Sequence, residues 1–230
     1  VFVTQLVTTL KLFDIVRTVT GGNFGTSVLS NEMFSEIFVR FDTGRGSAMA
    51  VILFTFILPI MIYNNPVAYG VDVNLDIMAK LAEFESIVAI KESTTDTRRI
   101  TELYNKFDDR FTVFSGVDDI ALESLMLGAT GWISGLTNAF PEESVAIYKL
   151  ASQGRYAEAL EIYRWFLPLL RLDTIPTLVQ CIKLAEQVCG RGSEQVRAPR
   201  QLLQGEERQQ VIQMVEHALE TRLDLSKYNL

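Results

Sequence analysis

The sequence predicts an α/β fold: a (β/α)8 barrel, complete or incomplete in its N-terminal half, followed by a C-terminal helical appendix. Three observations predict it. Short apolar runs alternate with amphipathic helical patterns. The runs lack the in-out polarity of half-solvated strands, as expected of a parallel sheet covered on both faces. Their ends, at Tyr63, Lys91, Ser115 and Ser134, recur roughly every 20 to 28 residues, the size of one strand-helix unit.

Ile57 to Tyr63 reads as the first buried strand, and Leu75 to Phe84 as a helix with Leu75, Met78, Leu81 and Ala82 on one face. Ser86 to Lys91 is the second strand, followed by a helix from Thr97 to Phe107 that Asp96 opens as N-cap. Phe111 to Ser115 is the third. Its helix spans Asp118 to Leu127, with Asp118 and Asp119 in the first turn and Gly128 at the stop. Thr130 to Ser134 is the fourth strand. Pro141, Glu142 and Glu143 start its helix and Gly154 closes it. Only helices follow: Arg155 to Leu170, Ile175 to Val188, and Glu206 to Leu223, with Pro168, Pro176 and Pro199 near their boundaries. The chain thus divides into an irregular segment 1–56, strand-helix units at 57–154 and C-terminal helices at 155–230.

Of 230 residues, 48% are apolar and 21% charged, enough to bury a core. Twenty-one basic against 28 acidic residues give a net charge of −7, without the basic footprint that nucleic acid or an anionic membrane surface requires. One histidine, His217, and two cysteines, Cys181 and Cys189, exclude a histidine-rich metal site and a disulfide framework. The cysteines lie roughly 12 Å apart along a helix, too far for a bridge, and reduced thiols fit a cytoplasmic protein. The run from Ala48 to Tyr63 is the most apolar in the chain. It is shorter than the about 20 residues of a membrane span, is divided by Pro59 and lacks basic flanks, so buried strand is the better reading.

Reactive groups in such sheets lie at the C-terminal ends of strands. Lys91 closes Ile-Val-Ala-Ile and points toward a barrel mouth, where desolvation favours a neutral amine able to attack carbonyl carbon. Tyr63, at the neighbouring strand end, carries a phenol that donates and accepts protons. Asn64-Asn65-Pro66 reads as turn chemistry, Asp118 and Asp119 as helix-start carboxylates, and Glu92 as facing away from Lys91.

These residues carry a resemblance. Tyr63-Asn64-Asn65-Pro66, Ile90-Lys91-Glu92-Ser93, Gly116-Val117-Asp118-Asp119 and Gly131 through Asn138 resemble the dihydrodipicolinate synthase and N-acetylneuraminate lyase family of Schiff-base barrels. The resemblance implies that Lys91 forms the imine with a 2-oxo acid or cyclic imine carboxylate, that Tyr63 shuttles protons, and that Gly116, Ser134 and Gly135 line the substrate pocket. It implies no metal and no cofactor, because the imine supplies the electron sink, and a homotetramer. Within the family, Tyr63 through Gly70, Tyr163-Arg164-Trp165-Phe166 and Lys183-Leu184-Ala185-Glu186 are most similar to bacterial hydroxyproline-pathway deaminases acting on pyrroline-4-hydroxy-2-carboxylate.

Two departures bear on activity. Synthases of the family place an arginine two residues after the motif proline; here that position is Ala68, which deletes a bidentate carboxylate clamp. Family members also carry enough chain before the tyrosine motif for four strands, including a Gly-Thr-Thr-Gly-Glu type motif. Gly25-Thr26-Ser27 followed by Leu29-Ser30-Asn31-Glu32 is a degenerate echo of it, to which no site is assigned. The expected activity is therefore a Schiff-base lyase or deaminase. The alternatives are a dihydrodipicolinate synthase-like enzyme or 2-keto-acid aldolase, and a truncated, non-catalytic barrel module.

Overall fold

A computed structural model describes residues 29–49 and 59–230. The Gly25-Thr26-Ser27 echo, Ile57 and Leu58 of the first predicted strand, and most of the apolar run from Ala48 to Tyr63 lie outside the described residues. No helix among the described residues is long and apolar enough to cross a membrane.

The chain forms two compact units, one of Val1–Ile60 with Phe84–Ile87 and one of Met61–Glu83 with Val88–Leu230. In the first, helix α1 (Leu29–Phe38) ends where Arg40 pairs with the buried Glu36 at 2.5 Å.

The remaining elements in chain order are β1 (Ile60–Asn64), α2 (Pro66–Tyr69), α3 (Leu75–Leu81), β2 (Ile87–Glu92), α4 (Arg98–Phe107), β3 (Thr112–Ser115), α5 (Ala121–Met126), β4 (Gly131–Trp132), α6 (Pro141–Ser152), α7 (Tyr156–Leu170), α8 (Leu178–Val188) and α9 (Gly205–Glu220). The four strands lie in one sheet in the order β1-β2-β3-β4. β2 and β3 pair in parallel with Lys91 opposite Phe114 and Glu92 opposite Ser115, and β3 and β4 with Phe114 opposite Gly131. Each strand neighbours the next in sequence through a helical crossover, the arrangement of consecutive strand-helix units.

Local chemistry explains most boundaries. Asn74 caps α3, its side chain accepting from the Asp76 and Ile77 N–H groups. Asp96 accepts from the Arg98 N–H at 3.1 Å and so supports the start of α4. Gly128 and Gly154, at φ +103° and +73°, follow α5 and α6 in the backbone region that residues with a Cβ avoid.

Three sequence expectations need correction. The first strand is not buried throughout: Ile60, Met61 and Tyr63 are more than 40% exposed, because among the described residues β1 is an edge of the sheet. The helix expected over Asp118 to Leu127 is a 3-10 turn, Asp118–Ile120, followed by α5. The fourth strand is shorter than expected: its backbone bonds to β3 run from the Thr130 N–H to the Ile133 N–H, which donate to the Val113 and Ser115 carbonyls, and beyond them Ser134 and Leu136 turn inward to bond Asp118. Pro168 lies in the last turn of α7, near its end as expected, where the lost N–H removes a single bond.

Helices α5 to α9 share one apolar core, which includes Leu122, Phe140, Ile147, Ile162, Phe166, Leu169, Leu184 and Val215. Phe140 meets Phe166 edge-on at 5.6 Å. Burying each such side chain stabilises the fold by about 1.5–3 kcal/mol, so the C-terminal helices fix the elements that carry β3 and β4. Arg222 reaches back to the buried Glu143 at 2.6 Å and closes this layer.

Candidate functional site

The site forms where β1, β2, β3 and β4 end. Lys91 is the fifth residue of β2, half-buried, and its Nζ lies 4.1 Å from the centroid of the Tyr63 ring on β1. A cation on an aromatic face is held by the ring quadrupole, so the tyrosine both orients the amine and supplies a hydroxyl. Asn65 donates from Nδ2 to the Tyr63 hydroxyl at 2.9 Å. That bond occupies a lone pair and leaves the phenol proton for transfer. Asn65 also caps α2, accepting from the Ala68 N–H at 3.0 Å, with Pro66 in the first turn.

Asn64 does more than turn the chain. It is fully buried, donates to both Glu92 oxygens at 3.2 and 3.1 Å and to Asp72 at 3.0 Å, and accepts from the Val73 N–H. Glu92, on the opposite face of β2 from Lys91 as expected, also accepts from the Thr94 N–H at 2.8 Å. This network fastens the ends of β1 and β2 together and so sets the distance between Tyr63 and Lys91.

Gly116, at the end of β3, is required by shape. A Cβ there would overlap Ser93 Oγ and come within 2.8 Å of Lys91 Cε and Cγ; the missing side chain is the space the lysine occupies. Ser93, two residues beyond Lys91 and on the same face, is buried, and its hydroxyl has no partner among the described residues. A buried hydroxyl without a partner beside an amine is suited to meet a bound polar group.

Ser134 and Gly135 follow β4. Ser134 donates to Asp118 Oδ2 at 2.9 Å and accepts from the Thr137 N–H at 3.1 Å. Asp118 is fully buried and also accepts from Trp132 Nε1 and the Leu136 N–H, both at 3.0 Å. Burial pushes its carboxyl above the usual range, against these donors. Asp118 does open a helical turn, as read, and its side chain in addition anchors the loop after β4. A Cβ at Gly135 would meet Ile182 Cδ1 at 2.6 Å and Asp173 Oδ1 at 2.8 Å.

Asp173, in the 3-10 turn Arg171–Thr174 between α7 and α8, carried no signal in the sequence. Its carboxyl is pushed up to about 7, first by burial and then by the charge of Asp118, while Lys91 and the Asp118 backbone N–H pull it down. Of the predicted site residues, Lys91, Tyr63 and Gly116 come together directly. Ser134 is engaged with Asp118, and Gly135 borders Asp173. No cluster of three or more potential metal ligands occurs among the described residues.

Residues 48–218 match the dihydrodipicolinate synthetase family. The 4-hydroxy-tetrahydrodipicolinate synthase of Methanothrix thermoacetophila is 37% identical over 145 residues, covering 62% of this chain and 48% of that protein. That of Aquifex aeolicus is 36% identical over 143 residues, 62% of this chain and 49% of that one. The chain thus spans about half the length of the curated relatives it matches. Among solved structures, dihydrodipicolinate synthase from Aquifex aeolicus superposes with a TM-score of 0.65 at 31% identity, covering 82% of this chain and 62% of the other. The 4-hydroxy-tetrahydrodipicolinate synthase from Methylacidiphilum fumariolicum SolV does so with 0.66 at 29%, covering 77% and 60%. The α/β architecture expected from the strand spacing is the one these structures share.

Proposed function

Because this chain belongs to the dihydrodipicolinate synthetase family, we propose that it is a lyase in which Lys91 forms an imine with a small 2-oxo acid or cyclic imine carboxylate and Tyr63 moves protons around that imine. The placement of the Lys91 amine 4.1 Å from the Tyr63 ring centre, in space that Gly116 leaves open, carries this reading. The neutral amine attacks the electrophilic carbon, the protonated imine stabilises a carbanion at the next carbon, and the phenol exchanges a proton there.

For the substrate, Ala68 in place of the synthase arginine supports deamination of pyrroline-4-hydroxy-2-carboxylate. Lys91 adds to C2 and the ring nitrogen leaves it, opening the ring to a lysine imine. Loss of the C3 proton gives the stabilised carbanion, and the 4-hydroxyl leaves as water. After the double bond shifts to the C5 nitrogen, hydrolysis of that imine and of the lysine imine releases ammonia and 2-oxoglutarate semialdehyde. The second reading is a synthase or aldolase that uses pyruvate, and the names of the relatives favour it. An oligomer, a tetramer by family resemblance, and a cytoplasmic setting belong to either reading.

Borohydride reduction of the full chain with each acid, followed by mass spectrometry, tests both. An adduct on Lys91 with the pyrroline acid, with ammonia released on turnover, is expected. An adduct with pyruvate alone selects the synthase reading, and no adduct with either leaves only a non-catalytic barrel module.

A further inference from the structure

We propose that Asn65 is a positioning residue for Tyr63: its amide presents a donor to the phenol oxygen, which keeps that oxygen usable both as the acid and as the base of the reaction. This rests on the Lys91 reading and deepens it, by naming the group that controls the proton carrier.

The amide cannot be turned round. Asn65 Oδ1 accepts from the Ala68 N–H at 3.0 Å as the cap of α2, and a backbone N–H can only donate, so the oxygen is the end that faces it. The Nδ2 end is left for the Tyr63 hydroxyl, at 2.9 Å. An amide nitrogen does not accept, so at this contact the phenol oxygen is the acceptor and its proton points elsewhere. The ring is held from the same short helix. Tyr69, the last residue of α2, meets it edge-on at 5.6 Å between centroids, while Lys91 Nζ lies 4.1 Å from its centroid. Hydroxyl and ring are thus fixed by one local unit, residues 63–69, beside the amine.

Polarity decides which residue can stand at position 65. A proton carrier is a neutral phenol at one moment and a phenolate at the next. As phenolate it takes a proton from the carbon beside the imine carbon: the O–H bond forms, the C–H bond breaks and its electron pair passes to the imine; the return step reverses this. An N–H donor is compatible with both states. A carboxylate in the same place draws the phenol proton to itself and repels the phenolate. Aspartate caps a helix as well as asparagine does, so the start of α2 alone does not call for an amide, whereas the bond to Tyr63 does.

The test compares two variants that keep the cap. Asn65→Asp reverses the polarity and Asn65→Ser removes the donor, and both should melt within about two degrees of wild type. Ammonia release from pyrroline-4-hydroxy-2-carboxylate, or exchange of the pyruvate methyl protons in deuterium oxide, should fall about 10²-fold in Asn65→Asp, the low end of what a placed proton carrier contributes. In Asn65→Ser it should fall by about 3- to 10-fold, the worth of one neutral hydrogen bond. KM and borohydride trapping on Lys91 should stay within about threefold of wild type, because the amine is untouched. Equal losses in trapping and turnover, or equal turnover in the two variants, overturn the proposal. The tyrosine Fermi doublet in Raman spectra, isolated for Tyr63 by subtracting Tyr63→Phe, reads the hydrogen bond without substrate: an acceptor pattern is expected in wild type and a donor pattern in Asn65→Asp. If wild type traps neither acid but the doublet changes in this way, the imine reading fails and the hold of Asn65 on Tyr63 stands. A doublet that is the same in both overturns that hold whatever trapping shows.

Discussion

Lys91 and Gly116 occupy one volume: the aliphatic stem of the lysine passes within 2.8 Å of the point where a side chain on residue 116 would begin. Backbone on β3 has thus been stripped of its side chain so that the amine on β2 can reach the face of Tyr63.

Gly116→Ala therefore displaces the lysine. Overpacking of this kind costs about 1–3 kcal/mol, and here it falls on the reactive side chain. Imine trapping with the preferred acid should drop at least about tenfold, while the melting temperature changes by a few degrees. Unchanged trapping would mean that the lysine has another path.

Tyr63→Phe keeps the ring under the amine and removes the hydroxyl. Adduct formation should persist within about threefold, whereas turnover should fall by about 10² to 10⁴, the range of a lost proton donor. Steady-state assays beside trapping separate the two steps, and equal losses in both would assign Tyr63 to binding alone.

Asp118→Ala leaves Trp132 Nε1, the Ser134 hydroxyl and the Leu136 N–H without their acceptor. Each unmade buried bond costs about 1–3 kcal/mol, so urea denaturation should show a loss of at least about 3 kcal/mol. A loss below about 1 kcal/mol would show that water replaces the carboxylate.

Asp173 ties stability to pH. Its carboxyl is raised from 3.8 to about 7 on folding, so the native chain holds a proton that the unfolded chain releases. That contribution is complete below about pH 4 and is lost as pH rises through 7. Asp173→Asn, which cannot ionise, should gain in melting temperature relative to wild type between pH 5 and pH 8. A constant difference across that range would place the titration elsewhere.

Arg222→Ala strands Glu143, whose side chain is 0% exposed, without its cation. Breaking a buried pair on one side costs about 3–5 kcal/mol, and because Arg222 itself is partly solvated the lower end is expected. Chemical denaturation in low and high salt should give the same loss; a loss that vanishes in high salt would mark the pair as a surface interaction.

Much of the frame is legible along the chain. Ile87 to Ile90 is apolar and followed, after Lys91 and Glu92, by a helix with a defined start, and Asn74, Gly128 and Gly154 mark helix ends by local chemistry that needs no distant partner. The lysine and tyrosine are legible for a similar reason, since each stands one residue before the end of a strand and strand ends are where the mouth of such a sheet lies. Where the reading strays, a long-range contact overrides a local preference. Asp118 does start a helical turn, but its carboxylate bonds residues 14 to 18 positions on instead of capping that turn. Asn64 resembles a turn residue and instead joins two strands across 28 positions.

By itself the sequence determined the order of strands and helices and pointed to the amine and the phenol, because periodicity, caps and strand ends are properties of neighbouring residues, while the small residues beside them were implied by the family resemblance. Only the tertiary structure decided that Ser93 is buried without a partner among the described residues, that Asp118 anchors a loop and that Asp173 lies against Gly135. Those facts depend on which distant segments share a volume, and burial and electrostatics act through space rather than along the chain.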